Sequence, residues 1–169
     1  MDHIVATFAF LALVVLAMAS DLRTRRIPNA LTLTGLGIAL VLRGLLGWEP
    51  LAIGMVGALI AFVPTVPLVL LGGLGGGDAK LLAAVGAFVG PAGLPTTLFV
   101  TAVVGGAMGV VAVVRRGAWG HTVARCRMIV ARSFGVVQEP LPRLGTPSAI
   151  AIPYGVAIGV GAIAGWWVP

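Results

Sequence analysis

The chain has 169 residues, of which 59% are hydrophobic and only 9% charged, and its net charge is +6. An ordinary soluble domain carries about a quarter charged residues, so this composition excludes one and indicates a polytopic membrane protein forming one domain over residues 1–169. Arginines gathered on cytoplasmic loops explain the positive charge better than nucleic acid does, and a single cysteine, Cys126, excludes an internal disulfide and a cysteine-rich zinc site.

The first apolar run, residues 4–20, is preceded by Asp2 and His3 rather than by the basic cluster of a cleaved signal, and is followed by Arg23, Arg25 and Arg26. It predicts a retained helix whose amino end is outside and whose carboxyl end faces the cytoplasm. Residues 29–47 form the second run, interrupted only by Arg43. Trp48, Glu49 and Pro50 predict a short external turn. The third run covers residues 51–71, with Pro64 and Pro67 expected to bend it. A glycine stretch then leads to a short fourth run, residues 79–90, whose twelve helical residues cover only ~18 Å of a ~30 Å hydrocarbon core. Residues 91–95, PAGLP, predict a second external turn, residues 96–114 the fifth run, and residues 147–168 the sixth, ending on Trp166 and Trp167. Between them, the basic segment at about 115–145 reads either as an amphipathic helix on the inner membrane surface or as a disordered loop. Ten of the eleven basic residues fall on segments placed inside, Arg43 being the exception. The expectation is an all-α membrane protein of about six transmembrane helices.

Only five acids are present: Asp2, Asp21, Glu49, Asp78 and Glu139. Asp21 ends the first run and Asp78 opens the fourth, so both fall at the same predicted face. A carboxylate at a membrane boundary is costly and is a functional suspect. Two carboxylates held together share one proton, and such a pair supports acid–base attack of water on a peptide carbonyl. Plainer roles exist beside this one: an N-cap of the fourth helix for Asp78, a turn for Asp21. The glycines before Asp78 would leave room for an approaching peptide backbone, or would simply form a flexible turn. Neither a zinc-binding His-Glu-x-x-His nor a Gly-x-Ser-x-Gly nucleophile motif is present.

Three strings together are specific. DLRTRRIPN, residues 21–29, GGGDAK, residues 75–80, and IPYGVAIGVGAI, residues 152–163, resemble in order the motifs of type IV prepilin peptidases, a family of Gly-x-Gly-Asp intramembrane aspartyl proteases. The small size resembles the Tad/Flp-type, CpaA-like branch. The resemblance implies Asp21 and Asp78 as the catalytic pair, without metal or cofactor, and maps Gly75, Gly77, Lys80, Arg23, Pro28 and Asn29 onto motif positions. Arg23 and Lys80 would pair with lipid phosphate, the substrate leader or the active acids, or else snorkel at the interface. Pro28 and Asn29 would shape the start of the second helix. The implied partners are a prepilin or pseudopilin substrate, the lipid bilayer and other pilus assembly proteins. The implied location is the bacterial inner membrane, with leader removal at its cytoplasmic face. Larger members carry a Cys-x-x-Cys domain with N-methyltransferase activity, for which this chain lacks the paired cysteines. A silent scaffold of a pilus or secretion system and a proton-coupled transporter using the same two acids are the competing readings.

Overall fold

The computed structural model describes residues 2–116 and 152–168, so most of the basic 115–145 segment, Cys126 and Glu139 among it, lies outside the described residues. These residues are mostly helical, with no strand among them. Six elements follow in order: α1 (Asp2–Thr24), α2 (Asn29–Leu45), α3 (Trp48–Phe62), α4 (Thr65–Leu70), α5 (Gly76–Arg116) and α6 (Tyr154–Trp167). His3–Thr24, Trp48–Leu70 and Gly76–Arg115 are long and apolar enough to cross a membrane, and the two shorter helices α2 and α6 are apolar as well. Large apolar side chains such as Phe8, Leu70 and Phe99 are exposed on the outside of the bundle, as a lipid-facing surface requires.

α5 is interrupted at Gly90, whose φ of 71° and ψ of 179° are not helical. The packing shows that its two limbs run in opposite directions. In the first limb Asp78 and Lys80 lie at the end where α1 finishes, and Phe88 lies at the other end, its ring centroid 6.5 Å from that of Trp166. In the second limb Gly93 abuts Gly165, Gly105 abuts the Tyr154 ring and Gly109 abuts Ile152, so it descends along α6 to the end it came from. The reversal therefore sits at Gly90 itself. The expected turn at residues 91–95 is already helix, because Pro91 occupies the first position after the break, where its missing N–H costs nothing. The same holds at the other turn: Gly47, with φ 126°, makes the reversal, and Trp48, Glu49 and Pro50 form the first turn of α3. At Pro64 the third run divides into α3 and α4, as the prolines predict.

Residues 81–88 are buried on every side, which makes the first limb of α5 the axis of the bundle. Its neighbours approach closely because both sides lack side chains: a Cβ on Gly86 would collide with the Gly57 carbonyl, and one on Gly57 with that of Gly86. Such small-residue contacts let membrane helices pack by dispersion where no hydrophobic driving force acts between them. At the end remote from Asp78 the core closes on Phe10, stacked on Trp166 at 4.7 Å and edge-on to Phe88 at 5.6 Å.

The break at Gly90 accounts for Arg43, the one basic residue off the charge pattern. Pro91 has no N–H to return to the Ala87 carbonyl, and the break frees the Phe88 carbonyl as well. Arg43 reaches across from α2 and donates Nε to Ala87 O and Nη2 to Phe88 O, both at 2.7 Å. Its charge sits at the negative end of the limb it caps. Arg43→Met keeps the stem and removes the donors, leaving two carbonyls unsatisfied at about 1–3 kcal/mol each. It should lower stability by roughly 2–5 kcal/mol in a detergent melt followed by circular dichroism, whereas Leu45→Met nearby should leave the melt unchanged.

Candidate active site

Asp21 lies in the last turn of α1 and is buried, at 5% exposure. The chain turns immediately after it. Arg25 takes a left-handed conformation, φ 54°, and its N–H closes on the Asp21 carbonyl at 2.9 Å. Ser20 and Thr24 both donate their hydroxyls to the Arg26 carbonyl, at 2.9 and 3.1 Å. The turn is thus bound back onto the helix that carries Asp21. Pro28, extended at φ −62° and ψ 135°, then starts α2, its carbonyl accepting from the Leu31 and Thr32 amides.

Asp78 is the third residue of α5, not its cap. From there its carboxylate reaches back to the amide of Gly75, the residue before the helix, which is the return half of a capping box. A Cβ on Gly75 would lie 2.7 Å from Asp78 Oδ2. Gly77 is packed on the Ile27 backbone, where a Cβ would come within 3.2 Å of the carbonyl oxygen. The bare faces of Gly75 and Gly77 are therefore turned to this chain's own atoms. Gly76, between them, has nothing within 4 Å of where a side chain would be.

The two carboxylates come from positions 57 residues apart in sequence and lie near enough for the charge of one to act on the other. Three further groups join them. The Gly155 amide of α6 donates to Asp21 Oδ2 at 2.7 Å. Tyr154 lies within electrostatic reach of Asp78, its ring held against Gly105. Arg25 acts on Asp21 through its charge. No sequence motif assigns these three a role, and Arg25 lies just beyond the end of α1, in the left-handed turn. Arg23, two residues and ~200° round the helix from Asp21, is exposed and makes no polar contact among the described residues.

Lys80 also has a partner. Its Nζ donates to Asn29 Oδ1 at 2.9 Å, tying the start of α2 to the start of α5. This bond joins the two strings that carry the acids. A groove of about 570 Å³, walled by Val103, Met108 and Ile152, opens beside Pro153 and Arg25 at the same end of the bundle. A second cavity of about 650 Å³, between His3, Arg43 and Trp166, is at the opposite end and away from both acids.

If Lys80 and Asn29 act on each other rather than on separate lipid or substrate groups, their effects on stability should not add. A double-mutant cycle with Lys80→Met and Asn29→Ala should show a coupling of about 0.5–1.5 kcal/mol in thermal melts. Additive losses would assign Lys80 to an outside partner.

Searches of curated proteins and of solved structures return no match. The sequence profile of the type IV leader peptidase family matches residues 8–110, which include both acids, the turn after α1 and the glycine stretch before α5. With a match over more than half its length, on an all-helical apolar scaffold, the chain belongs to the type IV leader peptidase family.

Proposed function

We propose that the chain is an aspartic endopeptidase that removes the leader of type IV prepilins of the Flp/Tad kind, with Asp21 and Asp78 as its catalytic residues and its site at the cytoplasmic face of the inner membrane. The observation that carries this reading is the meeting of two carboxylates from α1 and α5 at one end of an apolar bundle, beside a groove open to a substrate chain. Family membership supplies the general substrate class, a prepilin-type leader peptide.

The chemistry follows from the pair. One carboxylate, ionised, takes a proton from water, and the resulting hydroxide attacks the carbonyl carbon of the scissile peptide. The other, protonated, donates to the carbonyl oxygen and so stabilises the charge that develops there. A C–O bond forms, the tetrahedral intermediate collapses with loss of the C–N bond, and the proton taken from water leaves on the new amine. Gly76, open to its surroundings, is where a substrate backbone can come closest to the pair. The apolar walls of the groove suit the hydrophobic stretch that follows a prepilin leader.

The helix ends do not rank the two acids by role. Asp21 closes α1 but also faces the amino end of α6, so both acids sit at a helix start. No methyltransferase activity is proposed.

Asp21→Asn and Asp78→Asn should each abolish leader removal when the chain is co-expressed with a prepilin and the products are resolved on a gel, while Glu49→Gln should not. Near-normal processing by either Asn variant would discard the pair and leave a scaffold or a transporter as the better reading. In a Cys126→Ser background, cysteines replacing Gly76 or Arg25 should react only with reagents that reach the cytoplasm, and cysteines replacing Glu49 or Ala92 from outside. Labelling of position 76 from outside would move the site to the other face.

A further inference from the structure

We infer that the amino end of α6 is the positioning element of Asp21, and that Gly155 is the residue through which it acts. The inference rests on the aspartic-peptidase reading above. The Gly155 amide meets Asp21 Oδ2 at 2.7 Å, a length typical of hydrogen bonds to charged acceptors. Of the first amides of α6, those of Tyr154 and Val156 donate to the Ile152 and Pro153 carbonyls, whereas that of Gly155 has Asp21 as its partner. Pro153, which precedes the helix, offers no side-chain acceptor. Asp21 takes that place from 134 residues away.

The holder is a helix end rather than a flexible side chain, so the carboxylate is located by backbone packed over its whole length. α6 lies against α1 through Met18 and Val14 at Gly159, and against the second limb of α5 through Thr97 and Thr101 at Gly161 and Gly165. Position 155 leaves little room for a side chain unless its neighbours shift. A Cβ there would stand 2.9 Å from Asp21 Oδ2, 3.1 Å from Asp21 Cβ and 3.0 Å from Ile27 Cδ1. Two of those three atoms belong to the acid itself, so a substitution at 155 displaces Asp21 relative to Asp78 before it disturbs anything else. The same short string places Tyr154 beside Asp78, so one turn of α6 addresses both acids.

The test uses the full chain in lipid vesicles and a prepilin-type peptide bearing its leader and the start of its apolar segment. Gly155→Ala should lower kcat about 100-fold, the loss expected from an ~1 Å misplacement of a reacting group, with KM and the melting temperature little changed. Adding Ile27→Val removes the Cδ1 contact but leaves the clash with Asp21, so the double variant should stay slow. Normal kcat in Gly155→Ala, a loss confined to KM, or recovery of kcat in the double variant would overturn the inference, the last by assigning Gly155 to packing on Ile27. If Gly155→Ala does not fold, the native chain labelled with ¹⁵N-glycine decides. The Gly155 amide resonance should move in Asp21→Ala by more than any glycine outside the site, and an unmoved resonance overturns the inference. Asp78→Asn separates the two levels. If it cleaves normally, the aspartic reading fails whatever Gly155 does, and if it is inactive while Gly155→Ala is normal, only the positioning role fails.

Discussion

A helix that stops inside an apolar bundle leaves N–H or C=O groups with no water to receive them, and each costs several kcal/mol if it stays unpartnered. Among the described residues three helix ends meet that constraint with a charged side chain. Arg43 takes the carbonyls freed at Gly90, Asp78 takes the amide before α5, and Asp21 takes the Gly155 amide at the start of α6. These ends account for Arg43, the one basic residue off the loop pattern, and for two of the five acids.

The arrangement also explains why the short limbs are tolerated. The first limb of α5 reaches its break after 14 residues, about 21 Å of helix against a ~30 Å hydrocarbon core, and α6 has 14 residues as well. A short helix exposed to lipid would present its open ends to the hydrocarbon. Here the first limb is sheathed on every side along residues 81–88, and its far end is capped from α2. Glycine contacts between α3 and α5, and between α5 and α6, bring the sheath close enough for a side chain such as Arg43 to reach across. Burial of the axis and placement of the acids are thus one structural problem. The limb that must be buried is the one that carries Asp78, and the helix that covers it at the other side, α6, is the one that holds Asp21.

For the proposed catalysis the consequence is that neither acid hangs on a free loop. Asp21 is fixed by its own helix, by the bonded turn after it and by α6. Asp78 is fixed by its reach back to Gly75 and by the packing of Gly77 on Ile27. The Lys80–Asn29 bond joins the two supports. Groups that must act together within a fraction of an ångström are best carried on rigid elements of this kind, and the open positions around them, Gly76 and the groove beside Pro153, are where a substrate has room.

Much of this was legible in the sequence. Apolar runs of near-membrane length gave the helices, because hydrocarbon admits little else. Five acids in 169 residues made Asp21 and Asp78 conspicuous, because an unneeded carboxylate at a membrane boundary is costly. Proline and glycine marked the breaks to within a few residues, missing the reversal at Gly90 because Pro91 starts a helix as readily as it ends one. Only the tertiary structure decided which groups meet. Lys80 to Asn29, Arg43 to Ala87 and Gly155 to Asp21 join residues 51, 44 and 134 positions apart, and no local pattern encodes such a partner. Glycine shows this most plainly. In sequence its missing side chain signifies room or flexibility. In the fold, the room at Gly75, Gly77 and Gly155 is already filled by Asp78, Ile27 and Asp21.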